Sequence, residues 1–375
     1  MGSPLACLLL VEKATRLGTK YSSTLRINLD RCTRLRKACD VNDEADSRRV
    51  SHIILDSDGS PDSVVALLYF LQQPAISVDA LTISCGEAYP DTYATILARI
   101  LARVGRKGIP IAGGRDTPLV GSNSFPEPWR KAVNEFLGIA LPQVDEPAHP
   151  IPAAELIIKL LRESPVPTTL FVSGSHTNLA EVLRLDPDIK SKIAAVHIMG
   201  GALYVPGNIE SEWPEIHNKV AEWNIWVDPV AASEVFNAGL PLYLAPLDTT
   251  NQVIWTQHDA EVLEASDTPE GKLTAEILRF FLTYMRDLYP DGVFLWDLVA
   301  AVGATHPHLF QQEQLHVQIV TAPGEEEGRT AILAGQTANI TAYMRPDADQ
   351  IKQVATRILS LSRSDQHSPD FDRYF

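Results

Sequence analysis

Short apolar runs alternate with amphipathic, helix-like runs along most of the chain from Ser51 onward. The strand-like runs are Ser51–Asp56, Val78–Ser84, Ile109–Ala112, Thr168–Ser173, Ala194–Met199 and Pro241–Ala245. The helix-like runs are Asp62–Leu71, Thr92–Val104, Ala153–Arg162, Thr177–Leu185 and Asp347–Ser360. Strand, turn, helix and strand in succession are typical of parallel βαβ units. The pattern therefore predicts an α/β fold: an open, mostly parallel, Rossmann-type sheet flanked by helices, with a small β-rich element at Leu315–Ala342 near the C-terminus.

The pattern also divides the chain of 375 residues into two parts. Residues 51–375 are predicted to form one catalytic domain. Residues 1–50 form a basic extension, in contrast to the acidic remainder, and we expect this arm to be poorly ordered. A mitochondrial presequence is the alternative, because the arm is rich in arginine and poor in acids, and a secretory signal is disfavoured.

Charge and composition narrow the range of partners. The formal net charge of −15 opposes binding to a phosphate backbone, so we expect a small-molecule substrate and no nucleic acid. The longest apolar runs are too short to span a bilayer, so no membrane partner is predicted. The four cysteines are scattered and indicate neither a disulfide framework nor a zinc site, which favours a reduced, cytoplasmic protein.

Three acids crowd the end of the first predicted strand. Ser60 is a good helix N-cap, Pro61 suits the first helical position, and Asp62 then lies in the first turn. Capping does not explain Asp56 and Asp58, whose mutual repulsion would raise their pKa values unless a cation lay among them. Clustered carboxylates suit Ca²⁺ or Mg²⁺, and a purely capping and surface role is the alternative.

The carboxyl ends of other predicted strands are polar as well. The first strand ends at Asp56–Asp58, the fourth at residues 174–177, and the fifth at residues 199–201. Ligands of open parallel sheets bind outside the carboxyl ends of the strands. If these strands are neighbours, the three ends meet at one crevice.

Six segments, in order, resemble the inosine–uridine nucleoside hydrolase family. The first, LDSDGSPDSVVAL, is similar to the family's N-terminal signature, usually DxDPGxDDxxAL. The others are VSGSHTNLAEVLRLDPDI, VHIMGGALYVPGN, AEWNIWVDPVAASEVF, APLDTTNQV and FLWDLVAAVGATHP. The likeness covers roughly residues 51 to 307. It implies a nucleoside hydrolase-like fold, cleavage of the N-glycosidic bond of a ribonucleoside to free base and ribose, and a homodimer or homotetramer.

The resemblance also implies roles for single residues. One Ca²⁺ at the floor of a pocket would hold the attacking water, with Asp58 both as ligand and as general base. Thr177, through its backbone carbonyl, and Asp297 would complete the ligands, and Asp56 would orient its neighbours. The sugar would be bound by the matching polar residues Asp62, Asn208, Glu222 and Asn224.

Three positions depart from the family pattern. Ser63 replaces a metal-binding Asp, so we expect it to be a weak ligand and the Ca²⁺ to be weakly bound or absent. Glu87 replaces an Asn and would restore some of the negative charge near the substrate. Trp296 replaces a His that protonates the leaving base, and it would instead stack on the base, together with Trp129 or Trp223.

These departures leave two alternatives to the hydrolase. One is a repurposed enzyme on the same fold, such as a lyase or cyclase of small-molecule biosynthesis. The other is a ribose-binding module with a degraded metal site.

Overall fold

The computed structural model describes residues 51–144 and 150–362, so the predicted basic arm lies outside the described residues. A central sheet of eight strands has the order β3-β2-β1-β4-β5-β6-β12-β9. Its strands are β1 Ser51–Ser57, β2 Ile76–Ile83, β3 Ile111–Gly113, β4 Thr168–Ser173, β5 Ile193–Met199, β6 Leu242–Ala245, β9 Gln311–Leu315 and β12 Ile340–Met344. All neighbours pair in parallel except β9 with β12, which confirms the predicted open, mostly parallel sheet.

Helices connect and cover the strands. They are α1 Pro61–Leu71, α2 Pro90–Arg103, α3 Glu127–Asn134, α4 Ala153–Glu163, α5 Thr177–Leu185, α6 Ile209–Glu212, α7 Trp223–Val227, α8 Pro229–Phe236, α9 Leu247–Thr250, α10 Gln257–Glu264, α11 Pro269–Tyr284, α12 Trp296–Thr305 and α13 Ala348–Leu359. Two large apolar clusters lie in the fold, one around α1 and α12 and one around α4, α5 and α8. The parallel sheet is therefore covered on both faces, as parallel sheets require.

The first strand and helix form because most of their residues are apolar and buried. Ile53, Ile54 and Leu55 of β1 are buried, and so is every residue of α1. A helix that is apolar all round belongs in a core. Ser60 caps α1 by accepting a hydrogen bond at 3.3 Å from the Ser63 backbone N–H, and Pro61 opens the helix, as predicted.

The C-terminal β-rich region is divided between two sheets. The strands β9 and β12 extend the central sheet, and β12 pairs in parallel with β6. Only β10, Val317–Ile319, and β11, Thr330–Ile332, form a separate antiparallel pair. The short strands β7, Ile254–Trp255, and β8, Val293–Phe294, form another antiparallel pair, which the apolar pattern did not predict because each is two residues long.

The strand order brings the predicted polar ends together. Strand β1 lies between β2 and β4, and β4 pairs with β5, so the ends of the first, fourth and fifth strands are adjacent. The chain order reverses between β1 and β4, which is the point where open α/β sheets form a crevice. Among the helices of the described residues, none combines the length and the hydropathy needed to span a lipid bilayer.

Candidate active site

Asp58 lies at this crevice, and two glycines enclose it. A Cβ at Gly86 would lie 2.3 Å from the Asp58 Cβ, and a Cβ at Gly174 would lie 2.5 Å from the Asp58 backbone nitrogen. Distances this short exclude any side chain at either position. The Asp58 backbone is also held on two sides, because its N–H donates to Ser173 O at 3.4 Å and its carbonyl accepts from Ala88 N at 2.7 Å. The position of Asp58 is therefore fixed by backbone packing.

Asp58, Asp62 and Asp297 meet through short polar contacts at the bottom of one cavity. Ser60 links two of them: its N–H donates to Asp58 Oδ1 at 3.0 Å, and its hydroxyl donates to Asp297 Oδ2 at 3.3 Å. Asp62 Oδ2 accepts from the Asp297 backbone N–H at 3.1 Å. The first turns of α1 and α12 thus bring together acids that are 235 residues apart in the chain.

Glu87 and Glu222 line the same cavity. We refer to Asp58, Asp62, Glu87, Glu222 and Asp297 together as the acid floor. Burial raises the pKa of Asp58 to about 7, and repulsion from Asp62 adds to the increase. Burial, followed by repulsion from neighbouring acids, raises the pKa of Glu87 and of Asp297 well above the ordinary range. These raised pKa values mean that the crowded, buried carboxyl groups favour a bound proton or a bound cation over an uncompensated negative charge.

The Ser63 side chain is held by several polar contacts at this floor. Its hydroxyl donates to Asp297 Oδ2 at 2.5 Å and lies 2.8 Å from Ser60 Oγ and 3.1 Å from Ser173 Oγ. The hydroxyl that replaces the family's acid therefore orients Asp297. Whether it also binds a metal stays a prediction.

Asp56 lies behind the floor, on β1, where it contacts two other elements. Its Oδ1 accepts from Thr82 Oγ1 and from Asn178 Nδ2, each at 2.7 Å. Burial raises its pKa to about 7, against the lowering effect of these two donors. Asp56 thus links β1 to β2 and α5 and supports the strand end that carries Asp58.

Thr177 begins α5 at the adjacent strand end and is fully buried. Its hydroxyl donates to Asp228 Oδ2 at 2.8 Å and lies 2.9 Å from Ser175 Oγ. These contacts occupy the side-chain hydroxyl, which leaves the backbone carbonyl as the atom for the predicted binding of Ca²⁺. That binding stays a prediction.

The three other predicted sugar-binding residues also line the cavity. Glu222 caps α7, because Oε1 accepts from Asn224 N at 2.9 Å and Oε2 accepts from Ile225 N at 3.2 Å. Oε2 also accepts from Gly201 N at 2.9 Å. Burial raises its pKa to about 7. Asn224 Nδ2 donates to Met199 O at 3.2 Å. Asn208 Oδ1 is buried without a hydrogen-bond partner, so this acceptor is available to a sugar hydroxyl.

The candidate ligands are of the kind that binds a calcium ion, but they include fewer charged groups than a strong site would have. The floor offers clustered carboxyl oxygens, whose raised pKa values favour a bound cation, and oxygen ligands are those that Ca²⁺ takes. Within residues 51–144 and 150–362, however, no group of three or more His, Cys, Asp or Glu side chains is arranged around a metal position. Two carboxylates with a hydroxyl in place of the third are consistent with a weak site.

Aromatic side chains cover the cavity above the floor. Phe125 stacks on Trp223 with ring centroids 4.8 Å apart, and Trp129 lies edge-on to Trp223 at 5.4 Å. Trp296 lines the cavity from the start of α12, and its indole N–H donates to Asn251 Oδ1 at 2.8 Å. We refer to Phe125, Trp129, Trp223 and Trp296 as the aromatic wall. Such flat apolar surfaces suit an aromatic ring of a ligand.

Sequence reasoning missed several residues of the cavity. Glu212 lies in α6, between two of the recognised segments, and Phe280 and Tyr284 come from α11. The stretch ESEWPE places an acid beside a tryptophan between two motifs, which was the available signal for Glu212. Phe280 and Tyr284 are four residues apart and share one helix face, and their rings stack at 5.4 Å.

Several residues near the motifs lie outside the cavity lining. Arg130 of α3 is buried, donates to Ala88 O at 3.0 Å and pairs with Asp116, so it ties the helix that carries Trp129 to the strand end after β2. His197 lies within the sheet, where its ring stacks on Tyr243 at 4.9 Å. His176 packs on Phe236, and burial lowers its pKa to about 3. These contacts give structural roles to all three.

Comparison with known proteins agrees with the geometry. The family model for inosine-uridine preferring nucleoside hydrolase matches residues 53–355. The pyrimidine-specific ribonucleoside hydrolase RihA of Citrobacter koseri is 33% identical over 306 residues, which cover 79% of this chain and 93% of that protein. RihA of Escherichia coli is 34% identical over 304 residues, covering 79% and 94%.

Solved structures show the same architecture. The plant nucleoside hydrolase PpNRh1 superimposes with a TM-score of 0.75 at 27% identity, covering 84% of this chain and all of that chain (100%). The purine-preferring ribonucleoside hydrolase from Gardnerella vaginalis gives a TM-score of 0.74 at 23% identity, covering 83% and 98%, which is a likeness in fold.

Fold, acid floor and relatives together define an enzyme of the N-glycosyl hydrolase class. The chain belongs to the inosine-uridine preferring nucleoside hydrolase family. The resemblance found in the six segments is therefore confirmed.

Proposed function

We propose that this protein hydrolyses the N-glycosidic bond of ribonucleosides, releasing the free base and ribose. One observation carries the proposal: acids and amides from separate segments meet beneath an aromatic wall. The residues concerned are Asp58, Asp62, Asn208, Glu222, Asn224 and Asp297. The polar floor matches a sugar with several hydroxyls, and the wall matches a base.

Asp58 is the proposed general base. Its carboxyl is fixed at the strand end, and burial raises its pKa to about 7, which suits the transfer of a proton near neutral pH. The water that attacks the anomeric carbon gives its proton to this carboxylate. Asp62, Asn208, Glu222 and Asn224 bind the ribose hydroxyls and hold the anomeric carbon in line with the water.

The acid floor also stabilises the transition state. Breaking the bond gives the ribosyl group positive charge, as in other glycoside cleavages. Carboxylates that are fixed around the sugar before the reaction lower the energy of this charge as it develops. The same crowding of carboxyl groups, costly in the free protein, therefore favours catalysis.

Asp58, Asp297 and the Thr177 carbonyl are the proposed holders of a Ca²⁺ ion, with Ser63 as a weak fourth group. When bound, the ion would supply positive charge that lowers the pKa of water at the floor. Because Ser63 carries no charge, we expect weaker binding than at a site with three carboxylates.

An assay over a panel of nucleosides tests the function. Purified protein is incubated with inosine, adenosine and uridine, and free base and reducing sugar are measured, with metal analysis of the same sample. We expect both products in equal amounts. We also expect EDTA to lower the rate and added Ca²⁺ to restore it.

Two results would contradict the proposal. Binding of ribose without release of base from any nucleoside would indicate a ribose-binding module. A metal-free protein that takes a ligand without a sugar would indicate a repurposed enzyme on this fold. Rates that EDTA leaves unchanged would reject the calcium ion and leave the hydrolase proposal standing.

A further inference from the structure

Glu212 places a carboxyl group between the two sides of the aromatic wall. The Trp223 indole N–H donates to Glu212 Oε2 at 2.9 Å, and the Tyr289 hydroxyl donates to Oε1 at 2.7 Å. Trp223 packs with Phe125, whereas Tyr289 lies against Trp296 with ring centroids 6.4 Å apart. A flat ring held between these two groups would present its edge to Glu212.

Glu212 is also close to the sugar-binding side of the cavity. The Asn208 side-chain N–H donates to Glu212 Oε1 at 3.4 Å, and both residues line the cavity. Asn208 directly precedes α6, and Glu212 is the last residue of this one-turn helix. The carboxyl group therefore stands at the junction of the proposed ribose and base positions.

The reaction needs an acid at this junction. When the N-glycosidic bond breaks, its electron pair passes to the base, and the base leaves more readily if one of its ring nitrogens gains a proton. Trp296 carries no proton that can be transferred at neutral pH, and its indole N–H is engaged with Asn251. Asp58, Asp62 and Asp297 lie at the floor, beneath the sugar.

The surroundings of Glu212 favour a carboxyl that holds a proton near neutral pH. Burial raises its pKa to about 7, and repulsion from Asp62 of α1 adds to the increase. Hydrogen bonds from Tyr289, Trp223 and Asn208 lower the pKa in part. The Glu212 carboxyl in turn adds to the raised pKa of Glu87, in the loop after β2.

We propose that Glu212 is the general acid that protonates the departing base, an inference that rests on the proposed function. The bond between the anomeric carbon and the base nitrogen breaks, and its electron pair goes to the base. The Glu212 O–H bond breaks, and the proton goes to a ring nitrogen of the base. Water forms the new bond to the anomeric carbon and gives a proton to Asp58. Proton exchange with solvent then restores both carboxyl groups.

The variant Glu212→Gln tests the inference with two substrates. One is the best nucleoside of the panel, and the other is p-nitrophenyl β-D-ribofuranoside, whose leaving group departs without a proton. We expect kcat for the nucleoside to fall by about 10²- to 10⁴-fold, the usual contribution of a general acid, and kcat for the nitrophenyl riboside to change little.

The pH profile gives a second readout. A general acid must be protonated, so wild-type kcat for the nucleoside should fall as the pH rises through about 7. In Glu212→Gln this alkaline decline should be lost. In Tyr289→Phe, loss of a donor to the ionised carboxylate should move the decline to higher pH, and this variant keeps the inference testable if Glu212→Gln does not fold.

Glu210→Gln is the matched control, because Glu210 lies on the same short helix and pairs with the exposed Lys219. It should resemble the wild type with both substrates. Equal losses with both substrates in Glu212→Gln, or an unchanged alkaline decline, would overturn the inference while leaving the hydrolase intact. A wild type that cleaves neither substrate would instead reject the proposed function.

Discussion

The acid floor and the aromatic wall line one cavity but arise in different ways. The floor is built from strand ends and helix N-termini, with Asp58 after β1, Asp62 in the first turn of α1 and Asp297 in the first turn of α12. The wall is built largely from loops and short helices, such as the five-residue α7 that carries Trp223. Sheet topology thus fixes the part that is proposed to contact the sugar, whereas the part that is proposed to contact the base can vary without disturbing the fold.

This difference predicts that changes in the floor affect turnover and that changes in the wall affect the choice and binding of the base. The largest effect is expected at Asp58. Asp58→Asn removes the proton acceptor and should lower kcat by about 10²- to 10⁴-fold, with a smaller change in KM. Steady-state kinetics with the best nucleoside measure both values.

A matched control for Asp58→Asn lies in the first half of the neighbouring strand β2. Asp79 of β2 bonds with His52 and Ser77, away from the cavity. Asp79→Asn should keep wild-type kinetics. An Asp58→Asn enzyme with wild-type kcat would show that Asp58 is not the general base.

The next largest effect is expected in the wall. Trp296→Ala removes a stacking surface and should lower kcat/KM for nucleosides by about 10- to 100-fold, since stacking on a base contributes about 1–3 kcal/mol. Trp296→Phe keeps an aromatic ring, so its kcat/KM for nucleosides should fall less. Equal losses in both variants, measured over purine and pyrimidine nucleosides, would contradict a stacking role.

A smaller effect is expected when the missing charge of the floor is restored. Ser63→Asp should lower the Kd for Ca²⁺ by about tenfold or more, because affinity rises with the number of charged ligands. Calorimetric titration measures this, with Ser63→Asn as the uncharged control. Glu87→Gln should weaken binding, and an unchanged Ca²⁺ affinity would refute the compensating role of Glu87.

The smallest effect concerns the stability of the fold. Its dependence on pH sets the range over which kinetic measurements reflect the cavity and not unfolding. Burial lowers the pKa of His197 to about 4, below its value of 6.5 in the unfolded chain. Stability from this group is therefore present above pH 6.5 and is lost as the pH falls toward 4. Between pH 7 and pH 5, the free energy of unfolding should fall by about 2 kcal/mol more in the wild type than in His197→Phe.

Urea unfolding at the two pH values measures this loss. The exposed His258 is the control, and His258→Gln should keep the wild-type dependence on pH. If His197→Phe loses as much stability as the wild type, another group accounts for the sensitivity to acid.

The sequence predicted all five residues of the floor and three of the four residues of the wall, but not Glu212, for physical reasons. Ser60, Pro61 and the apolar run after them specify a helix start, so the position of Asp62 followed from local chemistry. The approach of Asp297 to Asp62 depends on contacts 235 residues apart, and only the family motif indicated it. Glu212 resembles any surface acid in an acidic chain, because a four-residue helix has no periodicity to show which face is covered.

The two glycines around Asp58 have a consequence for mutational scanning. Any side chain at Gly86 or Gly174 would displace the Asp58 backbone or Cβ, since a Cβ there would lie within 2.5 Å of them. In a saturation screen scored by nucleoside turnover, both glycines would therefore rank beside the reacting groups although neither carries any chemistry. A map of positions that do not tolerate substitution would therefore include the residues that hold Asp58 in place as well as the residues that take part in the reaction.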